Sequence, residues 1–169
     1  MEGEKIASLV ELAQSLLGTP YKYGATPEEA PQVFDCSSFT QYLYKKIGVE
    51  LQRSSILQAT QGDEVNNKND LRPGDLLFFR GARGHYNDGL FPGREVYVGH
   101  VVFYLGENKV IYASDPLGKV VVKTLAEGKS LWGRRVGAAF WRHRRERGSS
   151  VSEEEEEEGG RVDAERIEV

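Results

Sequence analysis

DCSSFTQYLYKKIG, residues 35–48, places the only cysteine of the chain at the start of a helix. Asp35 is a good N-cap, Gly48 falls just past the expected end, and the spacing predicts a helix over 36–47. Phe39, Leu43 and Ile47 recur at helical spacing and form its expected inner stripe. A single cysteine allows no internal disulfide. It is either a small buried hydrophobe or a reactive thiol. In the first helical turn, backbone N–H groups and the positive end of the helix dipole favour a thiolate and can steady an oxyanion on an attacked carbonyl. The charge of Asp35 opposes the thiolate. From the sequence, Cys36 is expected to be more acidic than an ordinary thiol.

On the N-terminal side, Ile6, Leu9, Val10, Ala13, Leu16 and Leu17 repeat at the helical period, and Gly18 and Pro20 close that helix. Residues 21–34 form a loop rich in Gly, Pro and Glu. On the C-terminal side, a short helical stretch is expected at 55–65. The character changes at Leu71, where LRPGDLLFF reads as a Pro73–Gly74 turn feeding a strand. Further strands are expected at 99–105, 109–113, 120–124 and 137–142, with a tight hairpin at 106–108. Helices first and antiparallel strands later give an α+β order. Residues 80–97, with four Gly and one Pro, interrupt this plan as a long loop, either a surface excursion or a lid beside the site.

Charge divides the chain. Residues 143–169 carry five basic and ten acidic side chains, including six consecutive Glu, and are expected to be a disordered tail. Residues 1–142 carry 17 basic and 16 acidic side chains, so the expected folded domain has no basic excess to bind nucleic acid. No run approaches the roughly 20 apolar residues of a membrane span.

A thiol nucleophile needs an imidazole to take its proton and return it to the leaving amine. His143 lies at the junction with the charged tail, and His85 lies in the long loop. His100 opens the apolar strand GHVVFYLG, where a ring is held firmly. From the residues alone, His100 is either the partner of Cys36 or a histidine packed at a strand end. A metal set from Cys36, His85, His100 and Asp115 has neither C-x-x-C nor H-x-x-x-H spacing, so no metal or cofactor is expected.

GTPYKYG, DCSSF, RSSILQ, LRPGDLLFF, GHVVFYLG and KVIYAS follow one another in the order of the motifs of the NlpC-type cysteine peptidases, which the chain resembles from about Leu12 to Arg142. The resemblance implies a papain-like fold, N-terminal helices packed on a small antiparallel sheet. It also implies hydrolysis of the bond between γ-linked D-glutamate and a diamino acid in peptidoglycan stem peptides or murein fragments. In that scheme Cys36 forms the acyl-enzyme and His100 exchanges the proton. Tyr21 matches a tyrosine that steadies the oxyanion, Asp35 and Ser37 match residues that hold the substrate's free amine, and Ser55 matches a groove residue. Tyr112 stands twelve positions after the base, where the family most often has histidine, and would orient the imidazole. Asp115 and His85 are the alternatives for that job. Tyr23-Gly24-Ala25 stands where the family tends to have two glycines.

Two other functions fit the same residues: binding cell-wall peptide without cutting it, and thiol amidase or acyltransferase chemistry on another substrate. The N-terminus has Glu2, Glu4 and Glu11 where a secretory signal would be basic and then apolar, so the chain as written is expected to be a cytoplasmic monomer. The alternative is secretion or wall association by another route.

Overall fold

The computed structural model of the chain describes residues 1–65, 67–80, 85–86, 89–91, 97–126 and 139–142, with backbone alone at 85–86, 97 and 139–142. Three helices come first: α1 (Glu2–Ser15), α2 (Cys36–Lys45) and α3 (Ser55–Gln58). The strands are β1 (Asp63–Glu64), β2 (Leu76–Phe79), β3 (His85–Tyr86), β4 (Tyr97–Val98), β5 (His100–Gly106), β6 (Lys109–Ser114), β7 (Lys119–Thr124) and β8 (Ala139–Arg142). Six of them form an antiparallel sheet in the order β1-β8-β2-β5-β6-β7, while β3 and β4 pair separately. This is the expected α+β architecture. Among the described residues no helix is long and apolar enough to cross a membrane.

Alternation along the strands splits the interior in two. Leu76, Phe78, Val101, Phe103, Ile111, Ala113 and Val120 face the helices, where Leu9 and Ala13 of α1 and Phe39, Leu43 and Tyr44 of α2 are buried against them. Leu77, Phe79, Val102, Tyr104, Val110, Tyr112 and Val121 face the other way and pack with Val65 and Leu125. The β5–β6 turn carries Glu107 at φ 53° and Asn108 at φ 58°, the primed geometry that suits the twist of a tight hairpin.

Several expectations are corrected. Leu17 is 49% exposed rather than on the inner stripe of α1. The helix ends at Ser15, and Gly18, at φ 82°, turns the chain so that its N–H reaches the Val120 carbonyl. α2 stops at Lys45, and Ile47 packs only partly. α3 is a single turn: Gly62, at φ 93°, ends the local helical path, and 63–64 pair with β8 instead. The 80–97 segment is not a plain excursion, since it contributes β3 and β4, and Phe91 is buried in the helical-side core. Residues 81–84, 87–88 and 92–96 lie outside the described residues, as does the acidic tail at 143–169.

The Pro73–Gly74 turn ties α1 to the sheet. Gly74 sits at φ 94°, its carbonyl accepts from the Tyr44 hydroxyl, and a Cβ there would lie 3.0 Å from Ile6 Cδ1. Gly118, at φ 70°, faces open space. Both positions penalise a side chain through the backbone, but only Gly74 adds a clash. Gly118→Ala should cost about 1 kcal/mol and Gly74→Ala about 2–3 kcal/mol. Equilibrium denaturation of the two variants checks this, and equal costs would show that Ile6 gives way freely.

Candidate active site

The first turn of α2 is built by a reciprocal cap. The Ser38 N–H donates to Asp35 Oδ1 (2.8 Å), and the Asp35 N–H donates to Ser38 Oγ (2.9 Å). This is a capping box with serine in the third helical position. It fixes the direction in which Cys36 leaves the helix. The side chain of Cys36 is half-buried, and the backbone N–H groups of Val101 and Ser37 lie close enough to its sulfur to favour the thiolate. Val101 directly follows His100. The ring of His100 meets the ring of Tyr112 edge-on, with centroids 5.2 Å apart and planes at 84°. The structure therefore gathers Cys36, His100 and Tyr112 at the start of β5.

His100 and Tyr112 belong to the sheet face opposite α2, and the His100 Nε2 and the Tyr112 hydroxyl are both shut off from solvent. Asp115 lies exposed in the turn after β6. His85 has its backbone in β3 opposite Val98, but its side chain lies outside the described residues, as does His143. Among the described residues, no three His, Cys, Asp or Glu side chains group as a metal set.

The groove residues expected from the sequence lie around α2. Tyr21 bridges to Phe34, its N–H donates to the Gly118 carbonyl, and its side chain packs on the helical-side core. Ser55 is the first residue of α3, behind the cap Ser54. Ser37 and Asp35 are buried and tied to Arg53, a residue to which sequence reasoning assigned no role. The two guanidinium nitrogens divide between the oxygens of Asp35, Nη2 to Oδ2 at 2.6 Å and Nη1 to Oδ1 at 3.2 Å. Nη1 also donates to Ser37 Oγ (2.8 Å) and Nη2 to the Ala25 carbonyl (2.6 Å). The Gly24 N–H donates to Asp35 Oδ2 (3.1 Å). Gln58, also missed, is buried; it accepts from Thr40 Oγ1 (2.7 Å) and donates to the carbonyls of Ser37 (2.9 Å) and Gln52 (2.8 Å). The Arg-x-Ser-x-x-Gln spacing of 53–58 was the available signal for both.

Burial sets the protonation of the pair. It pushes the Cys36 thiol up to about 11, with Asp35 adding to the rise and the N–H groups and Arg53 opposing it. It pushes His100 down to about 4. The expectation of an acidic thiol is thus corrected: removing the thiolate from water outweighs the helix start. Both shifts favour the uncharged thiol and the neutral imidazole in the resting pair near neutral pH.

A model of the NlpC/P60 family matches residues 18–138. The chain belongs to the NlpC/P60 family. This NlpC/P60 domain is 34% identical over 132 residues to the gamma-DL-glutamyl hydrolase of Bacillus subtilis, covering 77% of the chain and 28% of that protein. It is 34% identical over 116 residues to a probable endopeptidase of Corynebacterium glutamicum, covering 66% and 46%. The chain thus spans less than half the length of these curated relatives. Among solved structures, an NlpC/P60 family protein from Bacillus cereus superposes with a TM-score of 0.62 at 28% identity, covering 83% of this chain and 39% of that one. The peptidoglycan hydrolase RipB of Mycobacterium tuberculosis superposes with a TM-score of 0.55 at 28% identity, covering 72% and 58%.

The two shifted groups predict how the NlpC/P60 domain responds to pH. Unfolding returns His100 to about 6.5, so the unfolded chain binds that proton more readily, and stability is lost as pH falls from 6.5 toward 4. Unfolding returns Cys36 to about 9, so stability is also lost as pH rises from 9.0 toward 11. Denaturant midpoints across pH should plateau between these limbs. Cys36→Ser should remove the alkaline limb, and a limb of unchanged size in that variant would show that another group causes it.

Proposed function

We propose that this domain is a cysteine-type hydrolase that cuts the amide bond between γ-linked D-glutamate and a diamino acid in peptidoglycan stem peptides. The observation that carries this reading is the meeting of the Cys36 thiol, at the capped start of α2, with the strand start that bears His100 and its neighbour Tyr112. The names of the relatives, a gamma-DL-glutamyl hydrolase and an endopeptidase, support the substrate class.

Because the resting pair is neutral, the reaction begins with proton transfer. The Cys36 thiol gives its proton to His100 as the sulfur bonds to the substrate carbonyl carbon, and the carbonyl π electrons move onto oxygen. The Tyr21 hydroxyl and the Cys36 N–H, which has no acceptor within the helix, are the donors assigned to that oxyanion. Collapse of the intermediate expels the diamino acid amine, which takes the proton from His100 and leaves a thioester. Water, deprotonated by His100, then attacks the thioester. It releases the γ-D-glutamyl carboxylate, and the proton returns to sulfur. Tyr112 keeps the imidazole ring in one orientation throughout. Ser37 and Ser55 line the groove, and the substrate's amine end lies toward the Asp35–Arg53 pair, so that end of the groove is nearly neutral in charge.

Incubation with defined stem peptides, read by mass spectrometry, tests the proposal. A single cut after γ-D-glutamate is expected. Cys36→Ser and His100→Ala should each lower kcat/KM by about 10³-fold or more. Tyr112→Phe should lower kcat about 3- to 10-fold with little change in KM. Binding of intact peptide without any cleavage would replace this reading with that of a binding domain. Cleavage that survives Cys36→Ser would remove the nucleophile.

A further inference from the structure

We infer that Arg53 is a positioning residue for the nucleophile, which cancels the charge of Asp35 beside Cys36 and ties the opening loop to the start of α2. This rests on the reading of Cys36 as the reactive thiol.

Asp35 is needed as a cap, because its Oδ1 holds the Ser38 N–H and its Oδ2 holds the Gly24 N–H. Yet a carboxylate one residue from a sulfur that must become anionic works against the reaction. An uncharged cap such as serine would avoid the conflict but would lose the contact to Gly24. Arg53 offers another solution. Its two terminal nitrogens take one carboxylate oxygen each, the planar fork that suits guanidinium and carboxylate. The side chain of Asp35 is only 8% exposed, so this pairing is screened little on the carboxylate side. The charges of Asp35 and Arg53 act on the thiol in opposite senses, Asp35 opposing the thiolate and Arg53 favouring it.

The remaining donors of Arg53 extend its reach. Nη2 also holds the Ala25 carbonyl in the loop that begins at Tyr21, and Nη1 holds Ser37 Oγ in the first turn of α2. One guanidinium therefore joins the loop of the assigned oxyanion donor, the helix of the nucleophile and the segment leading into α3. Lysine could neutralise the charge but could not hold this geometry, because it is a single point donor on a flexible stem.

The test reads the thiol itself, so it does not depend on the substrate being right. The rate of Cys36 alkylation by iodoacetamide is followed from pH 7 to 11 in the full chain, with thermal unfolding as a check on the fold. Alkylation tracks the thiolate fraction. Arg53→Gln should slow alkylation at pH 8 by about 3- to 10-fold, because it leaves the Asp35 charge uncompensated. Adding Asp35→Asn to it should restore the parent rate to within about twofold. Arg53→Lys should keep an alkylation rate near the parent's but unfold at a lower temperature, separating charge from geometry. If Arg53→Gln does not fold, Asp35→Asn alone carries the test. It leaves Arg53 unopposed and should shift the alkylation profile to lower pH. The proposal is overturned by an Arg53→Gln protein that folds and alkylates like the parent. It is equally overturned by a double variant that stays as slow as Arg53→Gln, or by an Asp35→Asn profile that does not move. Stem-peptide cleavage measured on the same variants separates the two ideas, since a shifted thiol profile in a protein that cuts no stem peptide supports the role of Arg53 and counts against the substrate.

Discussion

The carboxylate of Asp35 accepts from the backbone of Ser38 and Gly24, from the Ser37 hydroxyl and from both terminal nitrogens of Arg53. Each partner belongs to a different requirement of the fold. Ser38 starts α2, Gly24 closes the opening loop, and Arg53 brings in the chain that leads to α3. A buried carboxylate this heavily engaged is stable only if all its partners are in place together, since each missing one would leave charge or a polar atom unsatisfied. The position of Cys36 is a consequence of that agreement, because it is the first residue of α2, directly after the cap.

The same enclosure decides the chemistry of rest and reaction. Desolvation raises the thiol and lowers the imidazole, so both favour their uncharged forms near neutral pH. In the proposed reaction, charge separation coincides with arrival of a carbonyl carbon for the sulfur to attack and with donors to take the developing negative charge.

Much of this was legible in the chain. Asp35, Cys36 and Gly48 mark α2 through signals within a few residues of one another, and the strands from Leu76 to Thr124 declare themselves by alternation and turn residues. Tyr112 was placed near His100 by motif spacing, and the rings do meet. What was not legible depends on contacts distant in sequence. The helical pattern after Ser55 continues past Gln58 on paper, but pairing of 63–64 with β8 takes those residues into the sheet. Arg53 is one polar residue in RSSILQ until its guanidinium is seen reaching 18 residues back to Asp35. The acidity of Cys36 was read with the opposite sign because a helix start is visible in sequence, whereas the desolvation of the thiol by chain packed around it is not.

The sheet that supports the site also partitions it. Cys36 packs with the core beneath the helices, while His100 stands on the face shared by Val102, Tyr104 and Tyr112. Cys36 and His100 are thus braced by different parts of the interior, one beneath the helices and one beside Tyr112. Leu77, Val110 and Val121 share with Tyr112 the core that backs the imidazole, whereas the cap of α2 is held by Asp35, Ser38 and Arg53. The ring of His100 and the cap of α2 are therefore supported from different sides of one sheet, and Tyr112 is the side chain that carries the support of the second side to the imidazole.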